Sequence, residues 1–325
     1  MTKHFIEYLL TAAMAVMTAQ SCVSKIDPIF DESSANRVEA LAERLNETLT
    51  GAPNGWLLEY YPSSGQYYGG FNVFLSFSEG NKVKVGSEVA GKGKTATSTY
   101  SIYQSAGCVL TLDTYNEVMH YFADPETTGG QGAGFGFEGD FEFNVLDLQD
   151  EKITLKGRKT GSTMTMTPMP VSMSWDDYIV ALKEEESAIS KHTRIRYQTA
   201  DNKYDGRING RTLEIFSEVD GEQVTTSYPF IFNLMGVTFY KPLELGDERI
   251  DGLVYNPDMA DGGAFIPVND GAEGYFVPTY PTITDYLMDK NWFFSYKGLS
   301  DYCKKLWDKA AESLKAAGDN ITYCY

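Results

Sequence analysis

The chain has 325 residues, of which 42% are hydrophobic, 14% aromatic and 22% charged, and its formal net charge is −18. This composition is typical of a folded protein with a large core and not of a disordered one. The acidic excess argues against nucleic acid or an anionic lipid surface as a partner, because both would repel the chain. A chain of this length forms one large domain or two moderate ones.

The N-terminus has the parts of an export signal in the expected order. Lys3 supplies a positive charge, an apolar stretch runs from Tyr8 to Met17, and small residues precede Cys22. This stretch is shorter than the about 20 residues that span a bilayer. Residues 1–21 are therefore predicted to be a lipoprotein signal peptide, with Cys22 as the lipidated residue and acyl chains as the anchor. The alternative is a general secretory signal cut near Ala19.

A helix is predicted after a short polar tether at residues 22–32. Ser33 can cap this helix, and Gly51 with Pro53 ends it. From Trp56 the apolar period changes from 3.6 to 2, which indicates strands. The apolar face of the helix consists of Val38, Leu41, Leu45 and Leu49. The strands predicted in this half are residues 56–61, 71–77, 82–85, 99–103, 109–113, 118–122, 137–146, 152–158 and 163–167.

The second half begins with another helix. Ser174 can cap its first turn while Asp177 reaches back to the cap. Residues 247–281 are rich in Gly, Pro, Asn and Asp, which predicts long loops. The apolar stripe of the helix is Trp175, Ile179, Leu182 and Ile189, and its acidic residues 184–186 are interpreted as a solvated face. The strands predicted here are residues 194–197, 207–216, 225–232 and 237–241, followed by helices at residues 283–290 and 299–317.

The order of elements predicts the fold class. We expect an α+β protein, mostly antiparallel β in two β-rich lobes, each an open sheet or a calycin-like barrel. An N-terminal helix, a middle helix and C-terminal helices accompany the lobes. The lobes are assigned to residues 33–170 and 171–325, with a hinge near Pro168 to Ser174, and the sequence shows no fixed-period repeat.

Parts of the chain resemble a known family. They are Asp27-Pro28-Ile29-Phe30-Asp31-Glu32-Ser33-Ser34-Ala35-Asn36-Arg37, Asn54-Gly55-Trp56, Tyr60-Tyr61-Pro62 and Gly236-Val237-Thr238-Phe239-Tyr240-Lys241-Pro242-Leu243. They look like motifs of a family of Bacteroidetes surface lipoproteins that is known as domain of unknown function 4302.

The resemblance implies a place at the outer membrane beside TonB-dependent transporters and their substrate-capturing lipoproteins, and hence a role in nutrient capture. It implies no catalytic residues. The charged run that often follows the cysteine in such proteins is weak here, over residues 24–27. Whether the protein faces the cell surface or the periplasm is therefore left open.

The sequence contains patterns that superficially point to chemistry. Residues 134–139 match GxGxxG, but the residues after Asp140 alternate as a strand, whereas a dinucleotide loop needs a helix there. The glycines are interpreted as a flexible loop or as tight strand packing. There is no GxSxG elbow, and a dyad of Cys108 with His120 or His192 has no motif to support it. No catalytic residue and no cofactor is predicted.

Metal sites and disulfides are weakly indicated. The chain has three histidines, so it lacks an HExxH zinc motif. The hard oxygens of Asp251, Asn256, Asp258 and Asp261 do not fit the EF-hand spacing, and they are interpreted as turn residues. Beyond Cys22 the chain has an odd number of cysteines, at positions 108, 303 and 324. Either the last two form a C-terminal disulfide or all are free thiols.

Aromatic residues are the strongest binding candidates. Tyrosines and a phenylalanine alternate with glycine and proline in residues 60–71, as in loops that present rings to a sugar or a peptide. The alternative is that the rings fill a β core. The candidate ligand-binding residues are Tyr60, Tyr61, Tyr67, Tyr68 and Phe71. A second, weaker cluster consists of Tyr275, Tyr280, Trp292 and Phe294.

The predicted function is that of a lipid-anchored envelope protein that binds a glycan or peptide ligand, or a transporter partner, without chemistry. One alternative is a hydrolase that acts on a glycan or peptide at the same surface. Another is a structural subunit of the uptake complex with no ligand of its own.

Overall fold

The computed structural model describes residues 34–105, 107–126, 134, 136–199, 203–219, 221–260, 262–269, 271–280 and 296–316. Within these ranges the chain forms two closed antiparallel barrels of eight strands each. In both barrels consecutive strands are neighbours, and the last strand pairs with the first. The predicted α+β class with two β-rich lobes is confirmed, and the lobes are barrels.

The first barrel follows helix α1, Ser34–Gly51. A short helix, α2 at Glu117–His120, lies between its fifth and sixth strands. The strands are β1 Trp56–Tyr60, β2 Phe71–Ser78, β3 Lys82–Ser87, β4 Thr95–Gln104, β5 Cys108–Leu112, β6 Glu142–Gln149, β7 Lys152–Gly157 and β8 Thr163–Pro168.

The second barrel follows helix α3, Trp175–Ile189. A 3₁₀ turn at Tyr296–Gly298 and helix α4, Asp301–Ala316, come after it. The strands are β9 Arg194–Gln198, β10 Lys203–Asn209, β11 Thr212–Val219, β12 Glu222–Asn233, β13 Gly236–Leu245, β14 Glu248–Asn256, β15 Ala264–Pro267 and β16 Tyr275–Pro278. None of the helices in the described ranges combines the length and apolar character needed to cross a bilayer.

Each barrel core is completed by the helix that precedes it. Leu45 and Leu49 of α1 are fully buried in the core of the first barrel, and Leu49 O accepts a hydrogen bond of 3.0 Å from Trp56 Nε1. Leu182 and Ile189 of α3 lie in the core of the second barrel. The two halves thus share one plan without a sequence period, because a barrel requires only that inward positions be apolar and fill the volume.

The predicted strand at residues 118–122 is wrong. These residues belong largely to α2, because Asn116 Oδ1 accepts hydrogen bonds from Val118 N (3.1 Å) and Met119 N (3.2 Å) and so caps a helical turn. The run is too short for its apolar period to distinguish a strand from a helix. The strand predicted at residues 137–146 also begins later, at Glu142.

The loops predicted at residues 247–281 are wrong too, since β14, β15 and β16 lie there and close the second barrel. Gly and Pro are dense in this region because the turns between short strands need them. The single strand predicted at residues 207–216 is in fact a hairpin of β10 and β11. Its two-residue turn is Gly210-Arg211, between the paired residues Asn209 and Thr212, and Gly210 has φ +57°. Glycine at the first position of a two-residue turn is a recognised hairpin signal.

The predicted cap of the middle helix is confirmed. Ser174 Oγ accepts a hydrogen bond from Asp177 N at 3.1 Å and donates one to Asp177 Oδ2 at 2.7 Å. The C-terminal helix is confirmed over the range of α4, whereas the helix predicted at residues 283–290 lies outside the described residues. The segment predicted as a hinge is tied to the first barrel, because Asn54 Nδ2 donates to Pro170 O and to Met173 O at 2.7 Å each.

Candidate functional site

A cleft of about 1050 Å³ lies between the two barrels, and we call it the inter-barrel cleft. Its floor is the outer face of the second barrel, where Thr212 and Glu214 alternate with buried residues of β11 and Ser227 lies on the neighbouring part of β12. Its walls are the Tyr67 loop of the first barrel, residues 61–70, and residues 240–244 of β13. Its volume is typical of a site for a small or oligomeric ligand.

The structure divides the five predicted binding residues into two groups. Tyr67, Tyr68 and Phe71 line the inter-barrel cleft, and Tyr67 is the most accessible, with 66% of its surface exposed. Tyr60 and Tyr61 are buried, so their rings offer no face to a ligand. The binding hypothesis is therefore carried by the first group, and the core interpretation applies to the second.

The buried tyrosines have structural contacts. The Tyr60 hydroxyl donates to Asp140 O at 2.8 Å and accepts from Asp140 N at 2.7 Å. The Tyr61 ring packs on Tyr240 of the second barrel, with a centroid distance of 4.7 Å. Burial raises the pKa of both tyrosines well above the ordinary value. Both hydroxyls therefore remain protonated, and that of Tyr60 serves as a hydrogen-bonding group in the first core.

The Tyr67 loop is held in one conformation by its own polar contacts. Ser63 and Gln66 have left-handed backbone angles, with φ values of +64° and +51°. The amide Nε2 of Gln66 donates to Ser64 O at 2.7 Å and to Ser162 Oγ at 3.0 Å, and Ser162 Oγ donates to Ser63 O at 2.7 Å. These bonds compensate for the backbone strain. A ligand thus meets a preorganised loop, which lowers the entropy cost of binding.

The Tyr67 loop docks directly on the second barrel. Gly70 N donates to Phe230 O at 2.9 Å. A Cβ atom on Gly69, which has φ +67°, would lie 2.3 Å from Arg211 Cβ and 2.7 Å from Phe230 O. Only glycine permits this approach, so the Gly69-Gly70 pair sets the distance between the loop and the floor of the inter-barrel cleft.

An ion cluster, the Arg211 cluster, joins the barrels beneath the inter-barrel cleft. The Arg211 guanidinium makes a bidentate contact with Glu88, at 3.0 Å to each oxygen, and a third contact of 3.0 Å with Glu186 of α3. It also donates to Gly70 O at 2.6 Å and lies over the Phe71 ring at 4.5 Å. The Glu88 side chain is fully buried. Such a pair is expensive to separate, since the buried carboxylate would lose its counter-charge.

Buried polar groups extend the Arg211 cluster into both barrels. Asn72 N donates to Glu88 Oε1 at 2.7 Å, and Asn72 Nδ2 donates to Phe232 O at 2.9 Å. The Tyr178 hydroxyl of α3 donates to Asn72 Oδ1 at 3.2 Å. No motif in the sequence predicts this cluster, because Glu88 and Arg211 are 123 positions apart. The position of Arg211 in the tight turn between β10 and β11 was the only local clue.

The strand β13 bulges at the inter-barrel cleft. Thr238 pairs with Gly252, and Leu243 pairs with Ile250, so four residues of β13 lie opposite the single residue Asp251. This displacement is larger than that of an ordinary β-bulge, in which two residues lie opposite one. It carries Tyr240 toward the first barrel, where its hydroxyl accepts a hydrogen bond from Thr163 N at 2.9 Å.

The glycine-rich segment at residues 134–139 contributes Phe137 to the lining of the inter-barrel cleft. Gly139 approaches the Tyr60 hydroxyl closely, and Asp140 Oδ1 accepts a hydrogen bond from Lys159 N at 2.7 Å. These contacts account for the glycine-rich segment by tight packing. Tyr275 and Tyr280 lie at β16 and its end, while Trp292 and Phe294 are outside the described residues.

The histidines and Cys108 have buried or half-buried surroundings. Cys108 lies in the first core, and burial raises the pKa of its thiol, which disfavours the reactive thiolate. His120 stacks on Phe141 at 4.7 Å, and burial lowers its pKa. His192 bonds the Tyr255 hydroxyl through Nε2 at 2.8 Å. Cys303 is exposed on α4, and its proposed partner Cys324 lies outside the described residues.

The described residues contain no group of three or more metal-ligating side chains that could hold an ion. Asp251 Oδ2 accepts a hydrogen bond from Asn269 Nδ2 at 2.7 Å, and Asn256 Oδ1 accepts one from Asp258 N at 3.0 Å. Asp251 and Asn256 are both on β14, five positions apart. At about 3.3 Å per residue they are roughly 16 Å apart, too far to share one ion. Asp261 is outside the described residues.

Fold and site together define a two-barrel protein with a preorganised inter-barrel cleft. Residues 26–257 match the family model described as a domain of unknown function (DUF4302), and the chain belongs to this family. The matched range ends just after β14, although β15 and β16 are needed to close the second barrel. The chain matches none of the curated proteins and none of the solved structures with which it was compared.

Proposed function

We propose that the protein is a non-catalytic ligand-binding protein of the cell envelope and that its ligand occupies the inter-barrel cleft. The observation that carries the proposal is the fixed Tyr67 loop, which holds a largely exposed ring over a polar floor. An exposed ring in a rigid loop provides contact area at low entropy cost, and the hydroxyls and carboxylates of the floor can form hydrogen bonds. Both features are typical of a binding site.

The floor supports binding better than hydrolysis. No histidine or cysteine is among the described residues that line the inter-barrel cleft. Its carboxylate Glu214 is engaged by Arg207, which donates to Oε2 at 2.6 and 2.9 Å, and by Asn209, which donates to Oε1 at 3.2 Å. A carboxylate held in this way is oriented as a hydrogen-bond acceptor for a ligand.

The Tyr67 ring provides the test of binding. Arrays of oligosaccharides and of random-sequence decapeptides would be screened with the protein. The ligand that binds best would then be titrated by calorimetry. Tyr67→Ala should weaken its affinity about tenfold or more, since about 1.4 kcal/mol of lost contact is a factor of ten. The free energy of unfolding of the Tyr67→Ala variant should differ from that of the wild type by less than about 0.5 kcal/mol, as for other exposed side chains.

Tyr115→Ala is the matched control, because Tyr115 is 71% exposed and lies outside the inter-barrel cleft. It should leave the affinity unchanged. Equal effects of the two variants would contradict the assigned site. A shortened ligand recovered after incubation with the wild-type protein would replace the binding function with that of a hydrolase.

The proposed location is the outer membrane, through lipid on Cys22, beside a TonB-dependent transporter. Its support is the order of charged, apolar and small residues before Cys22, together with the family resemblance. Cys22→Ser should move the protein from the membrane fraction to the soluble fraction. Cys303→Ser, which alters an exposed cysteine on α4, should not. Membrane retention of the Cys22 variant would refute the lipid anchor.

A further inference from the structure

The wall of the second barrel is incomplete where it borders the inter-barrel cleft. On one side, β12 pairs with β11 along the whole range Glu222–Pro229. On the other side, it pairs with β13 only from Phe230 to Asn233. In the described part of the chain, no strand pairs with Glu222–Pro229 on that second side. The barrel is closed at one end of this seam and open at the other.

The seam opens where proline and the bulge of β13 meet. Pro229 directly precedes the last paired residue, Phe230, and has no N–H with which to continue the ladder. The bulge after Thr238 then carries β13 away from β12. Residues on both sides of the gap, 226–229 and 240–242, line the inter-barrel cleft. The Tyr228 hydroxyl reaches Glu244 O at 3.5 Å across the gap.

The pairing with β11 determines which backbone groups of β12 are unpaired. Phe230 N donates to Arg211 O at 2.9 Å, so the groups of even-numbered residues of β12 face β11. Those of Gln223, Thr225 and Ser227 face the opposite way, toward the open side of the seam. This edge offers three N–H donors with the matching carbonyl acceptors at a spacing of two residues.

Between Glu222 and Pro229 the edge has few of the devices that prevent strand addition. Residues 222–227 are all exposed, and none of them is lysine or proline. Their sequence includes Val224, Thr225 and Thr226, which favour the extended conformation. An exposed edge of this kind is a ready template for another strand, and proteins normally cover or charge it.

We propose that the ligand of the inter-barrel cleft is an extended peptide, which adds as a strand to the free edge of β12. The inference rests on the proposed function, since it specifies the ligand of the same cleft. The free edge of eight residues is about 23 Å long at about 3.3 Å per residue, so it accommodates about seven residues of peptide. Backbone hydrogen bonds supply affinity, and Tyr67 and Tyr68 contact alternate side chains. We expect these side chains to be apolar or aromatic.

A backbone-methylation scan on the wild-type protein tests strand addition. A decapeptide selected from the random-sequence array would be synthesised with N-methyl groups at single successive positions. An N-methyl group removes a donor, so methylation at every second position in the bound core should lower affinity at least tenfold, while the intervening positions tolerate it. Loss without this period of two would overturn the proposal.

A pair of variants at one position tests the edge itself. Thr225→Pro removes an N–H that faces away from β11, whereas Thr225→Ala keeps it. The Pro variant should lose at least tenfold in affinity for the selected decapeptide, and the Ala variant should bind like the wild type. Equal affinity of the two variants would overturn the proposal. Circular dichroism verifies that both are folded, and if the Pro variant is not, the methylation scan decides.

The array screen separates failure of this inference from failure of the proposed function. If an oligosaccharide binds in a Tyr67-dependent manner and no peptide does, the cleft is a binding site but strand addition is wrong. If neither class of ligand binds, both proposals fail.

Discussion

The two barrels have the same strand order but differ in regularity, and the candidate site lies on the less regular one. In the first barrel one extra residue is accommodated between Val145 and Asp147, and β6 pairs with β5 only over Glu142–Asn144. In the second barrel, four residues of β13 lie opposite a single residue of β14, and β13 leaves one end of β12 unpaired. The regular barrel supplies a fixed loop, whereas the irregular one supplies the floor and the free edge. The largest displacement within a strand pair thus lies at the inter-barrel cleft.

The junction between the barrels includes outer-face residues of the first barrel that pack in the core of the second. Phe74 on the outer face of β2 is fully buried and packs in the second core, with its ring 5.5 Å from that of Trp175. Three of the motifs that resemble the family, those at residues 54–56, 60–62 and 236–243, meet near this junction. Asn54 holds the connecting segment, Tyr61 stacks on Tyr240, and residues 239–242 form the bulge of β13. These motifs therefore specify how the barrels are joined.

The largest expected effect comes from breaking the Arg211 cluster. Arg211→Met leaves the buried Glu88 carboxylate without its counter-charge, which should lower the free energy of unfolding by about 3–5 kcal/mol. Arg196→Met is the matched control, because its partner Asp205 and Arg196 itself are about half exposed. It should cost less than about 1 kcal/mol. Urea denaturation measures both values.

A second substitution sharpens this test. Adding Glu88→Gln to Arg211→Met removes the buried carboxylate that has lost its counter-charge, so the double variant should regain part of the lost free energy of unfolding. Equal losses for the Arg211 and Arg196 variants, or no recovery in the double variant, would show that the junction does not depend on this buried pair.

A smaller effect is expected from the contact of the Tyr67 loop with the second barrel. Gly69→Ala places a Cβ atom against Arg211, and Gly80→Ala places one in open space, although both glycines have left-handed angles of +67° and +72°. The Gly80 variant should lose about 1–2 kcal/mol of unfolding free energy from backbone strain alone. The Gly69 variant should lose about 1–3 kcal/mol more, from overpacking.

The difference between the two glycine variants isolates the loop contact. The difference in their free energies of unfolding is measured from the midpoints of urea denaturation, provided that both variants have the same denaturant slope m. If the two variants are equally stable, the loop can move away from the second barrel at little cost. The inter-barrel cleft would then not be preorganised.

Local signals explain most of what could be predicted of the fold. Ser174 with Asp177 specified the start of α3, and strict alternation such as that of Trp56, Leu58 and Tyr60 specified β1. The misassignments occurred where local signals conflict. Asn116 turned a strand-like run into α2, and the glycines between Glu248 and Pro278 concealed three short strands. From sequence alone, short strands in segments rich in turn residues are predicted as loops, because their strand partners are not apparent.

The candidate site was predictable only in part. The alternation of aromatic residues with glycine identified the Tyr67 loop, and Tyr67, Tyr68 and Phe71 do line the inter-barrel cleft. Their neighbours Tyr60 and Tyr61 have the same residue type and local context but are buried. The difference comes from strand register, because Tyr60 ends an inward-facing series in β1 and Tyr61 meets Tyr240 of the other barrel.

The sequence by itself determined the α+β class, the capped helix between two β-rich halves and the aromatic segment at the cleft. These features depend on residue periodicity and on contacts within a few positions, which a linear chain displays directly. Closure of each barrel, the Arg211 cluster and the open edge of β12 were decided by the tertiary structure. They depend on pairings between residues far apart in the chain, and such pairings are selected by volume, charge and register only when the whole barrel has formed.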